Sequence, residues 1–374
     1  MRRLAGANVP VHPVVKADAY GHGAVPVART LEAAGADGFC VAAYDEAAAL
    51  RDARIRRPIL VLYPVPAAWA PDAARRRIAV TAGDLDALDA ILRAAAAGPG
   101  RHRLRVQLEV ETGLGRGGFT LAALPEAAKR IVGAPRARLD GLWTHLQAPE
   151  DPGATTVQLA RFEAAAQVLR AAGLRLPPRH VAASGAIVAE SAVAYDGVRP
   201  GLAVYGLLPD ELHGLLAPAV VGMFRPVLSL HARPVRIAYL PAGWGISYGP
   251  SFRTERPSRI ATLPLGYGDG WPRALSNRAG ALVRGARVPL VGNVAMDAVM
   301  ADVTDVPGPP VTTDDEFVLL GSQGDLEITV AELAHLGTTN SWEVVTRMAQ
   351  RLPRVYHHRS GLEGVRTLVS GGLG

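Results

Sequence analysis

Up to about residue 205, short β-branched or apolar runs alternate with Ala/Leu/Arg-rich segments of helical period. The strand-like runs begin near Val14, Gly38, Ile59, Ile78, Val106, Leu139, His180 and Val198. Between them lie helix-like pieces such as AVPVARTLEAAG (24–35), YDEAAALRDA (44–53) and VQLARFEAAAQVLRAAG (157–173). A strand that runs parallel to its predecessor needs a long crossover, and a helix is the usual one. Eight such units predict an α/β fold with a closed (β/α)8 TIM barrel rather than an open doubly wound sheet. Beyond residue 222 the helical period fades. Short alternating runs separated by Gly and Pro turns take over at 227–240, 259–265, 281–292, 298–304 and 316–321. The chain therefore reads as a barrel over 1–222 and a mainly-β C-terminal domain over 223–374. That second domain is expected to carry helices near 330–337 and 341–352. The polar, Gly-rich tail from about His358 is expected to fray.

Hydrophobic residues make up 49% of the 374, which excludes intrinsic disorder. Forty Lys and Arg against 34 Asp and Glu leave a charge of +6. The arginines are scattered through helix-like segments, as in RDARIRR (51–57) and ARRR (74–77). A diffuse basic excess attracts polyanions without forming a site, so no nucleic-acid partner is expected. The apolar stretch LLAPAVVGMF (215–224) is too short to span a bilayer. Pro10, His12 and Pro13 stand where a signal peptide would continue its apolar run. No membrane association and a cytoplasmic location are expected. The single cysteine, Cys40, rules out a disulfide framework and a Cys-based metal cluster. It reads as a small buried hydrophobe, and no metal site is expected.

In a barrel of this kind the chemistry sits at the C-terminal ends of the strands. Lys16 ends the first run, Arg116 follows the fifth, His145 ends the sixth, and Ser184 follows the seventh, which contains His180. Arg199-Pro200-Gly201 lies in the eighth. Phosphates bind in such barrels after strands seven and eight, where Ser184 offers a hydroxyl and Gly201 a close backbone approach. A lysine facing a phosphate pocket points to condensation of its amine with a phosphorylated aldehyde cofactor, pyridoxal phosphate. One competing signal is Gly113-Leu-Gly115-Arg-Gly-Gly118, which matches the G-x-G-x-x-G dinucleotide fingerprint with Asp140 downstream. It falls in the fifth unit rather than at the head of a βαβ fold, and it carries Arg116 in the turn. The dinucleotide reading is therefore set aside.

VVKADAYGHG (14–23), ETGLGRGGF (111–119), THLQAPED (144–151), VRPGLAVYG (198–206), ISYG (246–249), LPLGYGDG (263–270), VGNVAMD (291–297) and RLPRVY (351–356) together resemble the alanine racemase family, in order and spacing from about residue 13 to 356. The lysine motif is shared with other pyridoxal-phosphate barrels, whereas the set including the second-domain motifs is far more specific. The resemblance implies an amino-acid racemase with two bases on opposite faces of the substrate, Lys16 and Tyr248, the latter reaching in from the partner subunit of a homodimer. One base removes the α-proton and the other returns one with inverted configuration. It further implies that Lys16 carries the pyridoxal phosphate covalently, and that Tyr20, Ser184, Gly201 and Leu202 hold the phosphate. Arg199 would face the pyridine nitrogen; a guanidinium cannot accept a proton, so that nitrogen stays unprotonated. By the same resemblance Arg116 would assist at the phenolic oxygen and the substrate carboxylate, and the Met296 N–H would bind that carboxylate with Asp297 beside it. His145 would buttress Arg199, His180 would orient Tyr248, and Tyr267 would stand at the entrance.

Several positions depart from the family pattern. Glu109 stands where many members have a lysine that can be carbamylated, and its carboxylate is expected to keep a negative charge near Arg116. Ala183, Ala295 and Gln350 replace residues commonly Asn, Cys and Tyr. The family also has a longer stretch before the lysine strand, including a strand that joins the second domain, so an unpaired edge is expected there. Alternatives to alanine racemisation are a racemase for another amino acid such as serine, and a non-catalytic pyridoxal-phosphate barrel protein. The second-domain motifs argue against the latter.

Overall fold

The computed structural model describes residues 1–190, 194–358 and 361–369. It divides into two compact units, Met1–Arg225 and Pro226–Gly374.

In the first unit six strands pair in chain order: β1 (Phe39–Val41), β2 (Ile59–Val61), β3 (Ile78–Ala82), β4 (Leu104–Glu109), β5 (Ala137–Trp143) and β6 (Arg179–His180). Every pairing is parallel. All residues of β1, β2 and β3 are buried, as expected for strands covered on both faces. The helices between them bury one stripe each. Leu85–Ala97 starts at Asp84, whose carboxylate accepts from the Ala87 N–H at 2.7 Å, and it buries Leu88, Ile91 and Ala95.

Of the eight runs read from the sequence, the first and the eighth do not form regular strands. They make isolated parallel bridges instead: Val14 with Cys40, Ala183 with Arg199, and Val11 with Val198. Pro10, Pro13 and Pro200 remove N–H donors from these segments, so a continuous ladder cannot form. The ring closes nonetheless. His12 N–H donates to the Val198 carbonyl at 2.9 Å and Val14 N–H to Pro200 at 2.8 Å on one side; Cys40 N–H donates to Pro13 at 2.9 Å on the other.

The second unit is an antiparallel sheet in the order β14-β13-β10-β11-β12-β9-β8, with β7 also on β13. Its strands are β7 (Leu230–Ala232), β8 (Arg236–Leu240), β9 (Ser258–Leu263), β10 (Gly280–Val283), β11 (Ala286–Val291), β12 (Val299–Asp302), β13 (Phe317–Gln323) and β14 (Leu326–Ile328). Pro234 falls between β7 and β8 and splits what the sequence presents as one run. Arg284 and Gly285, at φ +50° and +74°, form the two-residue turn of the β10–β11 hairpin. β8 stands at one end of the sheet. Helices occupy Val330–Gly337 and Ser341–Thr346, the second shorter than its apolar pattern suggests. The tail expected to fray instead forms a strand, β16 (Gly361–Arg366), paired with β15 (Arg354–His358). Residues 370–374 lie outside the described residues. Among the described residues no helix is long and apolar enough to cross a membrane, and no cluster of His, Cys, Asp or Glu suits a metal ion.

Candidate active site

Lys16 follows the buried Val15 and opens a single turn, Lys16–Tyr20. Ala17, Asp18, Ala19 and Tyr20 all hold a left-handed φ of +52° to +55°. Such backbone costs roughly 1 kcal/mol or more per L-residue and persists only where its surroundings over-determine it. Here the Glu46 carboxylate accepts from the Ala17 N–H at 2.6 Å and from the Ala42 and Ala43 N–H groups at 2.8 and 3.0 Å. Asp18 accepts from the Ala24 N–H at 2.8 Å. The lysine is thus presented on a pinned turn. Burial, and then the positive charge of Arg116, lower its pKa, which enriches the neutral, nucleophilic amine.

Arg199 is 2% exposed. One of its terminal nitrogens donates to His180 Nδ1 and, at 3.0 Å, to the His180 carbonyl. The other donates to the carbonyls of Thr144 at 2.8 Å and Val181 at 3.2 Å. The Trp143 ring lies under the guanidinium, 4.9 Å from ring centre to carbon, and stacks on His180. Burial lowers the Arg199 pKa to about 10, so the charge is fully kept at neutral pH.

Because Arg199 can only donate, His180 Nδ1 must accept; His180 Nε2 then carries the proton and donates to Gln107 Oε1 at 2.8 Å. Both ring nitrogens are engaged within the barrel. This corrects two expectations: His180 has no nitrogen left to orient Tyr248, and it is the ring bonded to Arg199, a part assigned to His145. His145 remains near these charges. Burial, Arg199, Arg116 and Lys16 lower its pKa to about 3, so it is neutral at physiological pH.

His180 yields a pH prediction. Its native pKa is pushed well below the ordinary value, first by burial and then by Arg199. Below pH 6.5 the unfolded chain binds a proton there that the folded chain refuses. The stability it contributes is complete above pH 6.5 and falls as the pH drops. Stability from this group is therefore expected to fall as the pH is lowered from 7 to 5. Urea unfolding of wild type and His180→Asn checks it: the variant should show the shallower pH dependence. Nitrogen-15 NMR should show the Nε2–H tautomer down to pH 5, and a histidine protonated at pH 6 would contradict the bond to Arg199.

Tyr20, Ser184 and Gly201 converge. Ser184 Oγ accepts from the N–H groups of Gly201 at 2.8 Å and Ala203 at 3.2 Å. A Cβ on residue 201 would stand 2.6 Å from Tyr20 Oη, so only glycine leaves this space open. Leu202 begins the short 3-10 turn that follows. Tyr20 packs at a tilt against Tyr205, whose hydroxyl donates to the Val14 carbonyl at 2.7 Å.

Glu109 ends β4 and is 8% exposed. Arg116 lies 3.7 Å from its carboxylate and over the Tyr63 ring. Burial raises the Glu109 pKa, and Arg116 and Arg199 oppose that rise. The glycine-rich loop is no dinucleotide cradle. The Glu111 carboxylate accepts from the Gly113 N–H and, at 2.9 Å, from the Gly115 N–H, so an anion already occupies those donors. The loop then returns to a bridge between Val110 and Phe119, and the next helix starts only at Leu124.

In the second unit three turns meet. Asn293 donates to the carbonyls of Tyr248 at 2.8 Å and Gly249 at 3.0 Å and accepts at its own carbonyl from Ser247 Oγ at 2.6 Å. The Tyr267 and Gly268 N–H groups donate to the Ala295 and Met296 carbonyls at 3.0 and 2.9 Å. The backbone segment 293–296 thus joins the turns of Tyr248 and Tyr267, and the side chains of Tyr248, Tyr267, Met296 and Asp297 are exposed. The sequence does not mark Trp143, Gln107, Glu46 or Asn293 as site residues: Asn293 lies inside VGNVAMD (291–297), while the other three carry no local signal.

A family model described as "Alanine racemase, N-terminal domain" matches residues 1–209, and one described as "Alanine racemase, C-terminal domain" matches residues 227–356. The alanine racemase of Sorangium cellulosum is 40% identical over 95% of this chain and 94% of that protein. That of Symbiobacterium thermophilum is 42% identical over 92% and 89%. The crystal structure of alanine racemase from Bacillus anthracis with bound L-Ala-P has a TM-score of 0.91 at 32% identity, covering 98% of this chain and 93% of that one. With matched models on both units and relatives this similar over nearly the whole length, the chain belongs to the alanine racemase family of isomerases.

Proposed function

We propose that this protein interconverts L- and D-alanine with pyridoxal phosphate, using Lys16 and Tyr248 as its two bases. The observation that carries the reading is a half-buried lysine of depressed pKa in the same barrel as a hydroxyl-lined cradle and a donor-only Arg199. The residues present fit the cofactor. Tyr20 Oη and Ser184 Oγ are hydroxyl donors suited to a phosphate monoester, and Gly201 would hold the phosphate by keeping the space beside Tyr20 Oη free of a side chain. Leu202 would offer its backbone N–H to the same phosphate.

When bound, pyridoxal phosphate supplies an electrophilic carbon for amine attachment and an electron sink that acidifies the substrate α-C–H. Lys16 Nζ would hold it and move the α-proton on one face. Arg199, held rigid by neutral acceptors and supported by His180, would face the ring nitrogen and deny it a proton. Arg116, steadied by Glu109, would bind at the phenolic oxygen and the substrate carboxylate. His145, kept neutral, adds no charge to this already cationic rim. Tyr248, on an exposed turn, would serve the opposite face from the partner subunit of a homodimer. The Met296 N–H would bind the carboxylate with Asp297 beside it, and Tyr267 would line the entrance. The small amino-acid substrate and the lone buried Cys40 suit a cytoplasmic enzyme.

The test is incubation of the holoenzyme with L-alanine, and separately with L-serine, in D₂O. Loss of optical rotation with α-deuteration of alanine is the expected result. A yellow protein without exchange would favour the cofactor-carrying alternative, and preference for serine would reassign the substrate. Tyr248→Phe should suppress exchange from one enantiomer far more than from the other, by about 10²-fold or more. Equal effects on both enantiomers would refute the two-base assignment.

A further inference from the structure

The turn Gly266–Gly270 and the segment 295–297 lie in direct backbone contact, hydrogen-bonded to each other. A Cβ on Gly266 would stand 2.2 Å from the Ala295 carbonyl oxygen and 2.4 Å from that of Met296. Asp269 closes the first turn by accepting from the Gly266 N–H at 2.9 Å, and its side chain is buried. Arg351 meets this buried carboxylate with two prongs, Nε to Oδ1 at 2.6 Å and Nη2 to Oδ2 at 2.9 Å. The same Nη2 reaches Asp297 Oδ1 at 2.6 Å and the Met296 carbonyl at 3.4 Å. One guanidinium therefore bonds to both segments. A second strap is the Ala349 N–H, which donates to the Asp269 carbonyl at 2.9 Å. Space is reserved for this clamp, because a Cβ on Gly268 would lie 2.7 Å from Arg351 Nη2. The Asp269 and Asp297 carboxylates hold the Arg351 pKa above its ordinary value, so the clamp stays charged at any working pH.

The two arms of the clamp differ. Asp269 is buried, and loss of its partner would leave a buried charge. Asp297 is 65% exposed, and an exposed pair of that kind adds little to global stability. Its effect is local: it fixes the peptide at 296–297 relative to Tyr267.

We propose that Arg351 is a positioning residue that locks the Met296 N–H and the Tyr267 turn into one rigid unit, and so sets affinity for the substrate carboxylate rather than the rate of proton transfer. This rests on the reading above that places the carboxylate at Met296. A lysine cannot replace the clamp, since its point charge lacks the fork that spans Asp269 and Asp297.

The experiment compares holoenzymes of wild type, Arg351→Gln, Arg351→Lys and Asp297→Asn. It measures KM and kcat for alanine, cofactor absorbance, melting temperature, and binding of propionate as an unreactive carboxylate probe by calorimetry. Arg351→Gln should raise KM and the propionate Kd together by about 10-fold, with kcat within about 2-fold. Arg351→Lys should recover part of that loss. Asp297→Asn should show a smaller shift in the same direction with no change in melting temperature, and it serves should Arg351→Gln fail to fold. A fall in kcat with KM and propionate binding unchanged would overturn the proposal. So would an Asp297→Asn protein indistinguishable from wild type. Were wild type to turn over alanine without binding propionate, the carboxylate assignment itself would fail and the proposal with it. An active, propionate-binding wild type with kinetically silent variants would defeat the clamp alone.

Discussion

Lys16→Ala is expected to lower racemisation by about four orders of magnitude or more while leaving the fold as stable as before. Most active-site substitutions confound chemistry with folding, and this one separates them. The Lys16 amine is desolvated and stands near the like charge of Arg116, so the native state gains nothing from its charge. The turn that presents it is held by Glu46 and Asp18, whose acceptors engage backbone N–H groups and not the lysine side chain. Removing the side chain should leave the melting temperature unchanged or slightly raised. The covalent claim has its own readout. Borohydride should fix the cofactor on the Lys16 peptide in wild type and on no peptide in the variant. The sequence makes the control sharp: of 40 basic residues only Lys16 and Lys129 are lysines. Retention on Lys129 in the variant would refute the assignment. In a chain that otherwise uses arginine for its positive charges, a lysine at position 16 has a chemical reason. A guanidinium of ordinary pKa cannot present a free amine.

Arg199→Ala should act the other way round and cost stability first, by about 3–5 kcal/mol. The side chain is almost wholly buried, and its loss leaves the carbonyls of Thr144, His180 and Val181 and the His180 Nδ1 without their donor. It also uncovers the face of Trp143. Urea unfolding measures the loss, and near-UV circular dichroism should report the freed Trp143. Arg199→Lys should lie between the two, since an ammonium keeps the charge but cannot satisfy four acceptors spread around a planar fork. If Arg199→Ala unfolds at the wild-type urea concentration, the buried network is not what holds this part of the barrel together. The contrast between the two substitutions follows from opposite designs. Lys16 is left under-solvated and reactive, whereas Arg199 is over-supported and fixed.

Much of the candidate site was legible along the chain because its residues fall at strand ends, and strand ends are marked by local period. His145 follows β5 and Ser184 follows β6, while Lys16 and Arg199 lie on the two bridged segments that close the ring. The glycine-rich loop misleads for an equally local reason. Its spacing matches a phosphate-binding turn, and only the folded loop shows Glu111 occupying its donors. The first and last barrel runs were readable as extended, but proline reduces them to bridges. The tail looked free to fray because no local pattern reveals that 354–358 and 361–366 pair.

The succession of βα units, the change to a β domain, the types of the reactive side chains and the family they resemble are all written along the chain. These are encoded in periodicity and in short motifs, where neighbours in the chain are neighbours in space. Which histidine bonds to Arg199, which tautomer it holds, and how Arg351 ties two turns together emerge only on folding. The decisive bonds join residues 55 apart for Arg199 and Thr144, 73 apart for His180 and Gln107, and 82 apart for Arg351 and Asp269. At such separations chain spacing carries no geometric information. Packing alone selects the partner, because each buried donor must find whichever acceptor the fold brings to it.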